Sequence, residues 1–514
     1  MNGADALLHT LTNNGVDVCF TNPGTSEMHF VAALDQQDNM RSILGLFEGA
    51  VTGAADGYGR MAGKPACTLL HLGPGLANGL ANLHNARRAY TPIINIVGEH
   101  ATYHRELDAP LTSDIHGFAS PVSSWIGTIA RAEDTGAQAV AAIEASRAFP
   151  GSIATLIAPA DTAWSETTAL GGSADVRGPA PFDAAAVDAA ARALRDGKRA
   201  ALLLNGTATG EAGLADAARI RSATGALVLG DTFLARAARG AGRPDVPKLP
   251  YFAEQALEAL DGIDVLLVAG TKAPVSFFAY PGVPSELTPS GAEPIVLADP
   301  TQDAAGALAA LAEALGVGGS APEVSAFDPP ARPRGQHLDP DLIAASVGNL
   351  LPEQAIIVNE AATSGFAIPD LTARAAPHDG LDLTGGAIGM GIPAATGAAV
   401  ACPDRKVVNL QADGSALYTI QALWTQAREG LDVTTVLFNN RKYAILQVEF
   451  MRVGANPGPK AMDMLDLSRP DIDFVALAGS LGVPGSRATT ADEFHRALGE
   501  GLATPGPYLV EAII

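Results

Sequence analysis

The stretch from Val408 to Leu446, "VNLQADGSALYTIQALWTQAREGLDVTTVLFNNRKYAIL", decides the predicted fold. It begins as a buried apolar strand and turns at "DGS", residues 413–415. A helical segment follows, and then a second apolar strand, "VTTVLFNN", which ends at Asn440. Strand, helix and strand in this order predict two parallel strands of one sheet. The carboxyl ends of such strands lie at one edge of the sheet, which is where ligands bind.

The same alternation of short apolar strands and Ala-rich helical segments recurs along the chain, and it is typical of parallel sheets covered by helices. Residues 167–183 and 321–336 are rich in Gly or Pro and indicate linkers. We therefore predict three doubly wound α/β domains with parallel sheets, at residues 1–170, 171–330 and 331–514. The predicted strands lie in "VDVCFTNPG", "PACTLLHLGPG", "PIINIVGEH", "IATLIAPAD", "RAALLLNGTAT", "ALVLGDT", "DVLLVAGT", "PIVLADP", "AIIVNEA", "KVVNLQAD", "VTTVLFNN" and "YLVEAII".

Composition narrows the class of protein. The 514 residues are too many for one core, and 47% apolar with 17% charged residues is typical of a packed globular protein. A formal net charge of −22 argues against a nucleic-acid partner, because phosphate binding needs clustered Lys and Arg. Cys19, Cys67 and Cys402 form no CxxC pair, which indicates reduced thiols in a cytoplasmic protein. The N-terminus shows neither a signal peptide nor a membrane span, so we expect no membrane partner.

Asp413 and Asn440 each follow the end of a predicted strand and each offers a side-chain oxygen. Such hard ligands suit Mg²⁺, whose octahedral shell is usually completed by phosphates. Gly414 and Ser415 then open a helix, whose N-terminus favours phosphate. The alternative is an ordinary Asp helix cap and an ordinary Asn turn. The order of the elements and the spacing of the two residues favour the metal site.

These residues carry a resemblance to a known family. "ADGSALYTIQALW…VLFNN" resembles the thiamine diphosphate signature, written GDG and followed some two dozen residues later by NN. Ala412 stands where the signature has its first Gly. The resemblance covers the entire chain, with acetolactate synthase large subunits and benzoylformate decarboxylase as relatives. It implies that the three predicted domains are the pyrimidine-binding, central and diphosphate-binding domains.

The resemblance also implies thiamine diphosphate and Mg²⁺ as cofactors, and it leaves FAD binding open. In "GGAIGMGIPAA", residues 385–395, Ile388 matches the bulky side chain under the thiazolium ring. The carbonyl of Gly386 matches the acceptor for the aminopyrimidine amine. The other matches are metal ligands at Asp413, Asn440 and the Lys442 carbonyl, diphosphate contacts at Gly414 and Ser415 with Tyr443 beside them, and a strand end at Asn359 and Glu360 that opens toward the diphosphate.

Glu48 precedes "GAVTGAADGYGRMAG", a helical segment too apolar to face solvent, so its carboxylate is expected to be buried. A buried carboxylate often marks function, whereas an ordinary Glu here would be a helix-start charge. In the resemblance, Glu48 is the acid that hydrogen-bonds the pyrimidine ring nitrogen.

The substrate side is predicted at two strand ends of the first domain. In "TNPGTSE", Thr25 and Ser26 lie in a turn where their hydroxyls can bind a carboxylate. His71 ends the next strand and matches the proton-handling His of benzoylformate decarboxylase; a packed His is the alternative. Acetolactate synthases have a small hydroxyl residue there. His100 and His104 lie four residues apart, and without a further carboxylate ligand they are interpreted as solvated loop histidines.

Two departures limit the substrate prediction. Acetolactate synthases read D-A-F-Q where this chain reads "DAPL", residues 108–111, so the Phe and Gln of their pocket are missing. Benzoylformate decarboxylase has a second His in the central domain, whereas "APVSFFAY", residues 273–280, has none. Phe277, Phe278 and Tyr280 are instead expected to wall a pocket.

The prediction is a thiamine diphosphate- and Mg²⁺-dependent enzyme that decarboxylates a 2-oxo acid and either releases an aldehyde or joins the remainder to a second carbonyl. A 2-hydroxyacyl-type C–C lyase and a cofactor-binding protein without catalysis are the alternatives. A plain dinucleotide-binding protein is disfavoured, because no clean GxGxxG follows the first strand. The resemblance further implies a homodimer or homotetramer whose active sites lie between subunits.

Overall fold

The computed structural model describes all residues, 1–514, and its first sheet is built by the N-terminal part of the chain. All neighbouring strands of this sheet are parallel, in the order β2-β1-β3-β4-β6-β5. Helices cover both faces, and the central strands β3 and β4 are therefore buried along their whole length. The strands are β1 (Val18–Asn22), β2 (Arg41–Leu44), β3 (Ala66–Leu70), β4 (Ile93–Glu99), β5 (Trp125–Thr128) and β6 (Ile153–Pro159). The helices are α1 (Gly3–Asn13), α2 (Met28–Leu34), α3 (Glu48–Ala62), α4 (Leu72–Arg88), α5 (Ile115–Ala119), α6 (Thr135–Arg147) and α7 (Ala160–Trp164).

The middle of the chain forms a smaller parallel sheet, in the order β11-β10-β7-β8. Its core is a separate cluster of small and branched apolar side chains from this part of the chain. The strands of this region are β7 (Ala200–Leu204), β8 (Leu227–Gly230), β9 (Ala237–Arg239), β10 (Val265–Ala269) and β11 (Glu293–Ala298). The helices are α8 (Ala184–Arg195), α9 (Glu211–Thr224), α10 (Ala253–Ala259) and α11 (Ala304–Ala314).

The C-terminal part supplies most of a third sheet, in the order β16-β17-β15-β14-β12-β13-β9. Its own strands are parallel, whereas β9 comes from the middle of the chain and pairs antiparallel with β13. The strands are β12 (Ala355–Glu360), β13 (His378–Asp382), β14 (Val407–Ala412), β15 (Val433–Asn439), β16 (Gly485–Ala488) and β17 (Tyr508–Ile513). The helices are α12 (Pro340–Leu350), α13 (Ile368–Thr372), α14 (Gly391–Ala401), α15 (Asp413–Thr419), α16 (Ala422–Glu429), α17 (Ala444–Arg452), α18 (Pro459–Asp463), α19 (Phe474–Ser480) and α20 (Ala491–Ala503).

Helices α3 and α14 bring the first and third sheets together. Their contact is very close, because a Cβ at Gly57 would collide with the carbonyl of Ala394, and a Cβ at Gly397 with the carbonyl of Ala54. One hydrophobic cluster runs across this contact and contains side chains of both units, including Val51, Leu83 and Met390. The two units therefore share a core.

The predicted fold class is confirmed, and every strand that the sequence predicted is present. The prediction missed β2, β5, β9, β13 and β16. Four of these, β2, β5, β9 and β16, are edge strands of only three or four residues, and the fifth, β13, lies next to an edge and reads "HDGLD". Such strands lack the continuous apolar run of a strand buried on both faces. The domain boundaries at residues 170 and 330 stay predictions. None of the helices is both long and apolar enough to cross a bilayer.

Candidate active site

Asp413 and Asn440 lie at neighbouring strand ends in the third sheet. Strands β14 and β15 are paired in parallel, with Ala412 opposite Phe438, so the residues that follow them emerge at the same edge. One carboxylate oxygen of Asp413 accepts a hydrogen bond from the backbone N–H of Arg441, at 2.7 Å. This bond joins the two strand ends directly. The geometry explains how two residues that are distant in sequence come to lie at the same edge of the sheet.

Asp413 is almost completely buried, with 3% of its surface exposed. Its other carboxylate oxygen accepts the N–H of Gly414 at 2.8 Å. Burial raises the pKa of the Asp413 carboxyl, and hydrogen bonds from backbone N–H groups partly oppose that shift. No cationic side chain pairs with this carboxylate in the structure. A divalent cation would supply the missing positive charge.

Lys442 and Tyr443 complete the edge beyond β15. The side-chain oxygen of Asn440 accepts the N–H of Lys442 at 3.1 Å, while the carbonyl of Lys442 accepts no hydrogen bond. Arg441 has a positive φ of 56°, which turns the chain sharply at this point. The ring of Tyr443 packs against Gly414, where a Cβ would lie 2.5 Å from a ring carbon. Only glycine therefore fits at position 414.

A cavity of about 520 Å³ lies beyond the carboxyl ends of β12 and β14. Asn359, Glu360, Ile388 and Ser415 line it together with side chains of the central unit. The Ser415 hydroxyl accepts a hydrogen bond from Gln411 at 2.6 Å and donates to the carbonyl of Ala412 at 3.2 Å. Of the predicted cofactor contacts, Asn359, Glu360, Ile388 and Ser415 lie on this cavity, and their role at the diphosphate stays a prediction.

Glu360 is placed at this cavity, but its carboxylate is used inside the protein. Its two oxygens accept the N–H groups of Gly389 and Gly391, both at 2.5 Å, and the Gln411 amide at 3.0 Å. Burial raises the pKa of the Glu360 carboxyl, although these donors favour its charged form. The sequence predicted a strand end that opens toward the diphosphate; in the structure, Glu360 holds the start of α14.

The segment before α14 presents the predicted cofactor-bending residues. Gly386 and Gly389 have positive φ angles of 72° and 95°, conformations that favour glycine. The carbonyls of Gly385, Ala387 and Gly389 all accept hydrogen bonds from α4 side chains, whereas the carbonyl of Gly386 accepts none. The Gly386 carbonyl is therefore available to an amine donor, as the resemblance implies.

Glu48 is the first residue of α3 and is 7% exposed. One of its carboxylate oxygens accepts a hydrogen bond from the Asn78 side chain of α4 at 2.9 Å, and the other accepts none. Gly75 lies between Glu48 and His71: a Cβ there would be 3.3 Å from the free Glu48 oxygen and 3.4 Å from the His71 Cβ. The expected burial is confirmed, and the structure places the carboxylate next to His71.

His71 caps the N-terminus of α4 and is held by Glu27, a residue that the sequence did not single out. The ring Nδ1 lies 2.9 Å from a Glu27 oxygen and 3.3 Å from the Ser26 hydroxyl. Glu27 is 3% exposed and also accepts the N–H of Gly24 and the hydroxyl of Ser26. A proton on Nδ1 that is donated to Glu27 leaves Nε2 as the ring's basic atom. Thr25, by contrast, is exposed and its hydroxyl makes no hydrogen bond.

Glu27 carries little sequence signal because it lies in a short turn with no periodicity. The one hint is a buried glycine on a neighbouring strand, since a Cβ at Gly98 would collide with the Glu27 carboxylate. That relation between distant residues is visible only in the folded chain.

The prediction for His100 and His104 is partly wrong, because both are half-buried and their ring centroids lie 5.3 Å apart. The structure contains no group of three or more His, Cys, Asp or Glu side chains arranged to hold a metal ion. The predicted metal ligands at Asp413, Asn440 and Lys442 do not form such a group, because only Asp413 contributes a side chain of these four types.

The aromatic residues of the central unit divide into two sets. Phe277 stands over Gly386, where a Cβ would lie 2.7 Å from its ring, and packs edge-on against Phe233 and Phe278. Tyr280 is 8% exposed, and its hydroxyl donates to Glu449 at 3.0 Å. Phe277 therefore lies beside Gly386, whereas Tyr280 belongs to a separate contact with α17, and the pocket wall of Phe277, Phe278 and Tyr280 stays a prediction.

A second cavity, of about 380 Å³, lies between the first and central units at the carboxyl ends of β7 and β10. Its lining includes Arg88, Arg147 and Arg236 together with the glycines that follow the two strands. This is the place in a doubly wound sheet where a phosphate-bearing cofactor such as FAD lies when one is bound.

The chain resembles known proteins along its whole length. Residues 1–120 match the N-terminal TPP-binding domain of thiamine pyrophosphate enzymes, and residues 372–512 match the C-terminal TPP-binding domain. A Mycobacterium tuberculosis protein, provisionally named acetolactate synthase large subunit IlvX, is 56% identical over 100% of this chain and 99% of its own length. Benzoylformate decarboxylase of Pseudomonas aeruginosa is 30% identical over 98% of this chain and 97% of its own.

A solved structure gives the same result. The thiamine diphosphate-dependent 4-hydroxybenzoylformate decarboxylase of Rhodococcus jostii superimposes with a TM-score of 0.86 and 26% identity, covering 99% of this chain and 98% of that one. The buried carboxylates, the free carbonyl of Gly386 and the cavity at the strand ends fit a bound thiamine diphosphate. The chain belongs to the family of thiamine diphosphate-dependent enzymes and is homologous to acetolactate synthase large subunits and benzoylformate decarboxylase.

Proposed function

We propose that this enzyme is a Mg²⁺- and thiamine diphosphate-dependent decarboxylase of 2-oxo acids that carry an aromatic side chain. The observation that carries the proposal is the His71–Glu27 pair beside Glu48. Release of an aldehyde requires a proton in place of the departing CO₂, and a His held by a carboxylate supplies one. The aromatic ring of Phe277 over Gly386 supports an aromatic substrate.

The residues of the third unit would hold the cofactor and its metal. Asp413, Asn440 and the carbonyl of Lys442 would ligate Mg²⁺, with Gly414 and Ser415 at the diphosphate and Tyr443 packed behind Gly414. Ile388 would support the ring, and the Gly386 carbonyl would accept the amine. Thiamine diphosphate supplies, when bound, the carbon nucleophile and electron sink that allow a 2-oxo acid to lose CO₂.

The residues of the first unit would handle protons and the substrate carboxylate. Glu48 would hold a proton at the pyrimidine ring nitrogen, since its free oxygen accepts no hydrogen bond within the chain. Nε2 of His71, after the ring has taken up a proton from solvent, would donate the proton that replaces CO₂. The hydroxyls of Thr25 and Ser26 would bind the substrate carboxylate before it leaves.

The active enzyme is proposed to be a homodimer or a dimer of dimers, with each site shared by two subunits. Within one chain, the only side-chain hydrogen bond to the Glu48 carboxylate comes from Asn78 of its own unit, and none comes from the segment around Gly386. A cofactor that contacts both would bridge the first unit of one subunit and the third unit of another. The three free cysteines support a reducing compartment such as the cytoplasm.

The test measures CO₂ release from benzoylformate, 4-hydroxybenzoylformate and pyruvate in the presence of thiamine diphosphate and Mg²⁺, with product analysis. The proposal expects CO₂ and an aldehyde from the aromatic acids, and loss of turnover in Glu48→Gln. Acetolactate formed from pyruvate alone would instead establish the carboligase function that the Mycobacterium tuberculosis relative's name suggests. Cleavage of a 2-hydroxyacyl substrate without CO₂ release would favour a C–C lyase, and a protein that binds the cofactor without turnover would be a non-catalytic homologue.

A further inference from the structure

Helix α4 contacts residues 385–390, the segment that leads into α14, from the side that faces away from the cavity. Three polar side chains near its C-terminal end, those of Asn82, His84 and Asn85, reach the backbone of this segment. The Asn82 amide donates to the carbonyl of Gly389 at 3.2 Å, and His84 Nε2 lies 3.1 Å from the carbonyl of Gly385. Asn85 makes the fullest contact of the three, because both ends of its side chain are used.

Asn85 pairs with a single residue as a neighbouring β-strand would. Its Nδ2 donates to the carbonyl of Ala387 at 2.7 Å, and its Oδ1 accepts the N–H of Ala387 at 3.1 Å. Asn85 is fully buried, at 0% exposure, and its Nδ2 also donates to Asn82 at 3.1 Å. The backbone carbonyl of Asn85 accepts the hydroxyl of Thr384 at 2.8 Å, which fixes the start of the same segment.

The segment has almost no hydrogen bonds of its own. Among residues 385–389, the only backbone–backbone hydrogen bond is a long one, 3.4 Å, from the N–H of Gly386 to the carbonyl of Leu383. The positive φ angles of Gly386 and Gly389 give the chain a shape that an isolated segment would not keep. The shape therefore depends on the side chains that hold it from outside.

The two hydrogen bonds between the Asn85 side chain and the Ala387 backbone also fix the orientation of the residues next to Ala387. Because the Ala387 carbonyl and N–H both face α4, the Gly386 carbonyl and the Ile388 side chain are held toward the cavity that Ile388 lines. We infer that Asn85, supported by Asn82 and His84, is a positioning residue that preorganises the Gly386 carbonyl and Ile388 for the cofactor. This inference rests on the proposed cofactor site.

The test compares Asn85→Leu, which has a similar size but no hydrogen bonds, with Asn85→Asp, which keeps the acceptor for the Ala387 N–H. Asn349→Leu is the matched control, because Asn349 also donates to a backbone carbonyl, that of Pro330 at 2.8 Å, far from the cofactor segment. Two readouts are needed: hydrogen–deuterium exchange of residues 383–391 in the cofactor-free protein, and thiamine diphosphate binding by calorimetry with Mg²⁺. Circular dichroism confirms that each variant is folded.

Asn85→Leu is expected to exchange the Ala387 amide faster and to bind the cofactor about tenfold to a hundredfold more weakly. Asn85→Asp should retain the amide protection and recover part of the affinity, while Asn349→Leu should match the wild type in both readouts. Wild-type exchange and affinity in Asn85→Leu would overturn the inference. Failure of the wild type itself to bind the cofactor would overturn the proposed function, and the exchange measurement would still decide whether Asn85 holds the segment. If Asn85→Leu does not fold, the same comparison with Asn85→Asp and Asn82→Ala decides the matter.

Discussion

Two buried carboxylates, Asp413 and Glu27, lie at strand ends and each holds a neighbouring group in a fixed place. Asp413 ties Gly414 to Arg441 and so joins two strands. Glu27 joins a turn to the imidazole of His71. Burial makes a charged carboxylate costly unless donors or a cation compensate it, and both residues accept several hydrogen bonds for this reason. At the scale of single residues, the predicted site therefore contains buried carboxylates that hydrogen-bond donors hold in place.

Replacing Asp413 by Ala should remove the only carboxylate ligand of the proposed Mg²⁺ site. We expect no measurable thiamine diphosphate binding by titration calorimetry at Mg²⁺ concentrations that saturate the wild type. The control is Asp471→Ala, which removes an exposed carboxylate that pairs with Arg441 beside the same edge. Wild-type affinity in Asp413→Ala, with the variant folded by circular dichroism, would rule out this metal assignment.

Removing the charge of Glu27 should lower the catalytic activity that depends on His71 without weakening the binding of the cofactor. His71→Ala is expected to lower kcat about 10²–10⁴-fold, the usual worth of a general acid or base. Glu27→Gln, which keeps the size, should lower it about tenfold to a hundredfold, the worth of a hydrogen bond to a charged group, and should displace the pH–rate profile. The measurement is kcat against pH together with cofactor affinity. An unchanged profile with an unchanged kcat would mean that Glu27 serves only the turn.

At the scale of elements, the site depends on helices that approach more closely than side chains usually allow. Glycines on α3 and α14 let the two backbones touch, and α4 lies against the segment that leads into α14. The N-termini of α3 and α4, where Glu48 and His71 lie, are therefore fixed by the same packing that positions the cofactor segment. This close contact between the helices requires small residues at the positions where the backbones meet.

Gly397→Ala should destabilise the protein, because the new methyl group would collide with the carbonyl of Ala54 on α3. Overpacking of this kind typically costs about 1–3 kcal/mol. Gly479→Ala is the matched control, since Gly479 also lies inside a helix but has no atom within 4 Å of the new methyl group. Its stability should be unchanged or slightly higher. Denaturant unfolding followed by circular dichroism distinguishes the two, and equal midpoints would show that the helices can separate without cost.

At the scale of the whole molecule, the proposed site draws on residues of two units of the chain. The first unit carries Glu48 and His71, and the third unit carries Asp413 and the segment around Gly386. One hydrophobic cluster contains side chains of both units and packs them against each other. Completion of the site by a second copy is the reason for proposing a homodimer, and closed symmetry then gives two equal sites.

Two inactive variants, Glu48→Gln and Asp413→Ala, should complement each other when their subunits are mixed. In a mixed dimer, one site receives both substitutions and the other receives neither. Equal mixing after dissociation and reassociation should therefore restore about a quarter of the wild-type sites. The measurement is CO₂ release from the mixture, with each variant alone as the control. Absence of any recovered activity, although sedimentation shows mixed dimers, would mean that each site is built from one chain.

The sequence by itself determined the α/β class, the twelve longer or more apolar strands and the placement of Asp413 and Asn440 just after β14 and β15. The strands could be predicted because a strand that is buried on both faces needs a continuous run of apolar residues. The placement at the strand ends could be predicted because parallel strands joined by one helix have their ends side by side. The burial of Glu48 followed from the apolar helix that it begins. Each of these inferences uses residues that are close together along the chain.

Only the tertiary structure decided which distant residues meet. Glu27 reaches His71 from 44 residues away, and Asn85 holds Ala387 across 302 residues. The edge strands, the antiparallel addition of β9 and the inward use of Glu360 were likewise invisible in the sequence. Short edge strands and single polar side chains leave no periodic pattern, because their placement is fixed by packing between elements rather than by the local preference of the chain.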